Sequence, residues 1–129
     1  DVVVGSEICI RARHSFYQME DGSSLAFFEA PDMPFTFKPQ HDFDLHIALE
    51  VTQEDLQMMF AKGKAAGIET RGISDHGFID SIYFRDPNGY VIELTAKREG
   101  HDEIVAAATE TARQKLDEWQ RTKPPAVAT

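Results

Sequence analysis

The stretch SDHGFIDSIYFRDPNGYVIELTAK, Ser74 to Lys97, decides how the rest of the chain is read. At its middle, Asp86-Pro87-Asn88-Gly89 spells a tight turn, since Pro87 presets φ and Gly89 accepts the positive φ that bulkier residues resist. The residues on either side alternate and predict two strands. On the first, Ile82 and Phe84 share one side while Ser81, Tyr83 and Arg85 share the other. On the second, Tyr90, Ile92 and Leu94 alternate with Val91, Glu93 and Thr95. With Ile82, Phe84, Ile92 and Leu94 as the core face, Tyr83 and Glu93 point to the opposite side. A mid-strand carboxylate between apolar neighbours needs a cation, a metal or a hydrogen-bond donor.

Upstream, Leu45 to Val51 alternates in the same way, with Leu45, Ile47, Leu49 and Val51 facing one side and His46, Ala48 and Glu50 the other. Thr52 is a helix N-cap with Glu54 and Asp55 in the first turn, where the helix dipole favours acids. Leu56, Met59 and Phe60 form the helical apolar stripe, Met58-Met59-Phe60 reads as helix core, and Gly67 closes the helix. Ile68 to Ile73 predicts a further strand. From Leu45 onward the order is strand, helix, strand, strand, strand.

The earlier part shows the same three closing strands without a strand and helix in front. Asp1-Val2-Val3-Val4 reads as a strand under way, and Ile8 to Asp21 and Ser23 to Ala30 as two strands joined at Glu20-Asp21-Gly22. Leu25-Ala26-Phe27-Phe28 suits a strand covered on both sides. Pro31, Pro34 and Pro39 punctuate a connection to about Phe43. The pattern implies a partial first βαβββ module and linker over 1–43, a complete second module over 44–98, and a C-terminal helix and tail over 99–129. All three are read as one structural domain of α+β class. The missing strand and helix would take roughly 25–40 residues, so a natural N-terminal segment is expected to precede the sequence.

In the final helix, His101 to Arg121, Ile104, Ala108, Ala112, Leu116 and Trp119 recur at helical spacing. The expectation is packing on its own domain, with a subunit contact anchored by Trp119 as the sharper alternative. The last residues, from Pro124, read as a frayed tail.

The 129 residues suffice for one domain with a modest core. A net charge of −9 argues against a nucleic-acid or anionic-membrane surface. Cys9 is the only cysteine, which excludes an internal disulfide. Nothing flanking it marks it as a nucleophile. No apolar run approaches the ~18 residues of a spanning helix. A cytoplasmic, soluble protein is the expectation.

These residues resemble the vicinal oxygen chelate superfamily, which includes glyoxalase I, fosfomycin-resistance enzymes, bleomycin-binding proteins and type I extradiol dioxygenases. The segment His46 to Glu93 resembles a whole second module, and Asp86-Pro87-Asn88-Gly89 with Ile92-Glu93-Leu94 is its most recognisable part. His76, Ile82-Tyr83, Asp86-Pro87, Gly89 and Glu93 are similar to the extradiol signature, with Ser74 a departure two positions before the His. The resemblance implies paired βαβββ modules forming a cupped mixed sheet, a homodimer, and a divalent metal held by His46, Glu93 and a His outside this chain. Two His and a carboxylate suit Fe(II), with Mn, Zn or Ni as alternatives. His76 and Tyr83 match residues that contact substrate hydroxyls. The leading implied function is an Fe(II) dioxygenase acting on a catechol-like aromatic. The rivals are a glyoxalase-like lyase or isomerase, a thiol transferase using the metal as a Lewis acid, and a non-catalytic antibiotic-binding protein. No nucleic-acid or membrane partner is implied.

One departure bears on the leading reading. Extradiol enzymes carry an acid–base His where this chain has Asp21-Gly22-Ser23-Ser24, and such proton transfer is commonly worth ~10²–10⁴ in rate. His14 is the candidate substitute. Glu29 is out of register as a counterpart of Glu93, because four residues after Gly22 comes Ala26. His41, in the Pro-rich connection, reads as solvent-exposed.

Overall fold

The computed structural model describes residues 3–9, 12–34, 36, 41–42 and 45–125, with side chains from residue 12 onward. The chain divides into two compact units, Asp1–Lys38 and Pro39–Thr129.

The first unit is an antiparallel sheet of three strands, β1 (Val3–Cys9), β2 (Ala12–Gln18) and β3 (Ser24–Glu29), in that order. Ile8 and Cys9 belong to β1, not to the strand that follows, because they pair with Arg13 and Ala12. The expected single strand Ile8 to Asp21 is thereby corrected. The β2–β3 turn is as expected: Gly22 takes φ 85° and donates to the Met19 carbonyl at 3.0 Å. Asp21 Oδ1 also accepts the Ser23 amide at 2.9 Å. β3 is an edge strand, and Phe27 and Phe28 are exposed rather than covered on both sides. Phe27 meets Tyr17 edge-on at 5.5 Å, and Phe28 stacks on His14 at 3.9 Å.

The second unit holds β4 (His46–Glu50), α1 (Gln53–Ala65), β5 (Thr70–Asp75), β6 (Ile79–Arg85), β7 (Val91–Lys97) and α2 (His101–Thr122). Its sheet runs β4-β7-β6-β5, with β4 parallel to β7 and the other pairs antiparallel. This is the complete α+β module read from the sequence.

Thr52 caps α1 through its hydroxyl, which accepts the Asp55 amide at 3.0 Å. At the other end Ala66 is the C-cap and Gly67, one position on, takes the left-handed φ of 68°. Gly67 and Ile68 donate to the Lys64 and Gly63 carbonyls, which satisfies the last turn. Leu56 is fully buried against Ile82, Leu94 and Ala96, with Leu49, Val51, Met59, Phe60 and Phe84 packed around them. Gly63 lets α1 lie close to the sheet: a Cβ there would stand 2.4 Å from Thr70 Oγ1 and 2.6 Å from Phe84 Cε1. Ile92, expected in the core, is half-buried beside a cavity of about 340 Å³ lined by Met59, Gly63, Ile68 and Phe84. Met58 is exposed, which corrects its placement in the helix core.

In the hairpin, Asp86 Oδ1 accepts the Asn88 and Tyr90 amides at 2.9 and 2.8 Å. Gly89 takes φ 91°. This geometry fixes the β6–β7 register, and with it the face on which each side chain emerges.

α2 corrects a further expectation. It has no buried residue, and Ile104, Leu116 and Trp119 are exposed. His101, at its first turn, meets Phe78 edge-on at 5.6 Å. Periodicity told which face is apolar but not what covers it. Residues 126–129 of the expected tail lie outside the described residues.

Candidate functional site

The face of the β4-β7-β6-β5 sheet opposite α1 gathers the predicted residues. Register places Tyr83 directly across from Glu93, Ala48 across from Glu93 on the other side, and Arg71 across from Tyr83. His46, two residues before Ala48, falls on the same face because strand side chains alternate. One row of residues therefore crosses all four strands.

His46 Nε2 lies 2.7 Å from Glu93 Oε2. The Glu93 side chain is 10% exposed and that of His46 29%. The mid-strand carboxylate thus has the partner that its position demanded. The His46 ring meets the Tyr83 ring edge-on at a centroid distance of 6.0 Å.

Tyr83 Oη lies 2.9 Å from His76 Nε2. Burial, and then the nearby Glu93 charge, push the Tyr83 hydroxyl above the usual phenol range. It is therefore a protonated group near neutral pH, able to donate a hydrogen bond. His76 is exposed and sits in the connection from β5 to β6. All four site residues expected from the sequence lie in this one unit, in two contacting pairs.

Arg71 was not anticipated. Its guanidinium carbon lies 5.5 Å from the centre of the Tyr83 ring, and its Nη2 meets Asp42 Oδ2 at 2.9 Å. Asp42 also meets Arg85 at 2.6 Å, and that hydrogen bond chiefly holds its carboxyl below the usual range. The alternation that would have flagged Arg71 is broken by the register shift between Arg71 and Ser74. Asp42 lies in the Pro-rich connection, where no periodicity operates.

Other candidates stand elsewhere. His14 is packed between Phe28 at 3.9 Å and Phe16 at 4.1 Å, with its Nε2 buried and without a partner. Glu29 ends β3, exposed, across from Arg13. His41 is exposed, as read from the sequence. Among the described residues no three His, Cys, Asp or Glu side chains converge on one point. His46 and Glu93 supply an imidazole nitrogen and a carboxylate oxygen, which suits a divalent cation.

Against solved structures, the chain superposes on the glyoxylase/bleomycin resistance protein/dioxygenase domain from Frankia sp. with a TM-score of 0.62, covering 77% of this chain and 75% of that one at 19% identity. The chain carries the vicinal oxygen chelate fold. A mutant of the fosfomycin resistance protein FosX from Listeria monocytogenes, complexed with Mn(II) and 1S,2S-dihydroxypropylphosphonic acid, shares this fold at a TM-score of 0.58. That match has 19% identity and covers 78% and 75% of the two chains. By sequence, the chain is 38% identical over 89 residues to the metallothiol transferase FosB from Bacillus licheniformis. The match takes in 66% of this chain and 55% of FosB, so the chain spans about half the length of that relative. The sequence match agrees with the likeness of fold. No family model matches the chain. The likeness to ring-cleaving dioxygenases read from His76, Tyr83 and Glu93 has no counterpart in the sequence match, which is to a thiol transferase. Among the described residues, no helix is long and apolar enough to cross a membrane.

Proposed function

We propose that this chain forms the metal- and substrate-binding part of a thiol transferase of the vicinal oxygen chelate type. The observation that carries the reading is the 2.7 Å approach of His46 Nε2 to Glu93 Oε2 across the β4–β7 strand pair. The sequence match to a metallothiol transferase supports this chemistry over ring cleavage. His46 and Glu93 would hold a divalent cation, Mn(II) being the ion in the FosX complex. Such an ion, when bound, supplies Lewis acidity toward a substrate oxygen.

The chain's own groups do the rest. Tyr83, protonated for the reasons given, donates a hydrogen bond to a substrate oxygen beside Glu93. His76 holds the Tyr83 hydroxyl at 2.9 Å and fixes its direction. Arg71, with its side chain 49% exposed, offers positive charge to an anionic substrate group. An epoxide bearing a phosphonate matches these features. In thiol transfer to it, a sulfur–carbon bond forms as an epoxide carbon–oxygen bond breaks, and the released oxygen takes up a proton. Such a substrate is not aromatic, and it replaces the catechol expected from the sequence.

Mn(II) binding by calorimetry tests the ligand pair, and mass detection of an adduct of fosfomycin with a small thiol such as cysteine tests the chemistry. Glu93→Gln and His46→Ala are expected to weaken Mn(II) binding at least tenfold, since each removes one ligand. Unchanged Mn(II) affinity in both variants would overturn the assignment. O₂ uptake with catechols, without any thiol adduct, would restore the dioxygenase reading.

A further inference from the structure

His76 reaches Tyr83 from a connection, and a loop side chain holds a fixed position only if the loop is itself held. The segment from Asp75 to Ile79 is held by two sets of contacts. Within the loop, His76 donates its amide to the Ile79 carbonyl at 3.0 Å, and Asp75 Oδ1 accepts the Gly77 amide at 2.7 Å. Gly77 takes φ 85°, which suits the tight return. From outside, Arg98 follows the end of β7 and donates its amide to the Phe78 carbonyl at 3.1 Å. Its guanidinium meets Asp75 Oδ1, and Asp80 Oδ1 at 3.7 Å. Asp80 is in turn tied to the start of α1 by Gln53 Nε2 at 3.0 Å. His101 closes the far side against Phe78.

One carboxylate thus bridges the loop amide and the arginine. We propose that Asp75 and Arg98 are positioning residues, clamping the 75–79 loop so that His76 Nε2 meets Tyr83 Oη. The inference deepens the proposed function and rests on it for the role of His76, although the clamp itself is a property of the fold. Both clamp side chains are partly exposed, at 62% for Asp75 and 36% for Arg98. The ion pair is therefore a restraint on geometry more than a source of global stability.

The test uses the whole chain with three clamp variants, Asp75→Ala, Arg98→Gln and Arg98→Lys, beside Tyr83→Phe and His76→Ala as references. It reads the His76 ring nitrogen signals by NMR, hydrogen exchange at the Gly77 amide, and steady-state kinetics. Asp75→Ala and Arg98→Gln are expected to speed Gly77 exchange at least tenfold and to shift the His76 ring signals toward those of Tyr83→Phe. Arg98→Lys, which keeps the charge, is expected to recover most of both effects. Mn(II) affinity should stay within about twofold in all three, while kcat falls by up to the ~10² that small misplacements cost. Ring signals and Gly77 exchange identical to wild type in Asp75→Ala would overturn the clamp. A shifted His76 signal together with full activity in His76→Ala would leave the clamp standing and remove His76 from the reaction. The two failures are thereby distinguishable.

Discussion

On the face of the second unit's sheet that α1 covers, Ile82, Leu94 and Ala96 close on Leu56, and all but Leu94 are wholly inaccessible. On the opposite face, one residue along each strand, stand Tyr83 and Glu93, with Arg71 in the same row and His46 two residues before that row's Ala48. The first face is settled by volume and apolarity, which many sequences could satisfy. The second places an imidazole, a carboxylate, a phenol and a guanidinium within reach of one another, and packing alone gives no reason for that choice. A stretch such as Ile82-Tyr83-Phe84 serves both faces, so the strand cannot slip by one residue without exchanging them.

The comparison is broken most severely on the helix side. Leu56→Ala should cost about 2–5 kcal/mol of stability, measured by chemical denaturation, because it leaves a cavity at a fully buried position. The folded fraction should still bind Mn(II) normally. On the other face Tyr83→Phe should alter stability by less than about 1 kcal/mol, the range of substitutions that create no cavity. It should lower kcat about tenfold or more through loss of one donor. An equal loss of stability in both variants would mean that the two faces are not separable. The smallest effect concerns Asp42. Its carboxyl is depressed below the usual 3.8 chiefly by its hydrogen bond to Arg85, so the pairing is complete above that value and is lost as pH falls through the lower folded-state value. Side-chain NMR of Arg71 and Arg85 should therefore be flat from neutral pH down to about 4 and change only below it.

The helix-side face was legible because its signals are local. Pro87 and Gly89 fix the turn, the alternation of Ile82 to Arg85 fixes the strand, and Thr52 marks where α1 begins. His46 was placed correctly by parity against Ile47 and Leu49. Arg71 was not, since the irregular pairing between Arg71 and Ser74 removes the alternation that parity depends on. Ile8 and Cys9 were assigned to the wrong strand because no Gly, Pro, Asn or Asp marks the reversal before Ala12. The exposure of α2 could not be read at all, as Ile104 and Trp119 have the spacing of a buried stripe whether or not anything lies against them.

The parallel pairing of β4 with β7 also has a kinetic side. It sets the first strand of the module beside the last, so His46 and Glu93 are neighbours although 47 positions separate them. Contacts of such long sequence separation are slow to form, because the loop must close before they repay its lost entropy. A chain that has made α1 and the β6–β7 hairpin but not docked β4 has the carboxylate without its imidazole. A cation that needs both donors therefore binds the closed module in preference to every partly folded form, and raises its stability in proportion to that preference. Metal uptake during refolding would serve as a clock for the last step of module closure.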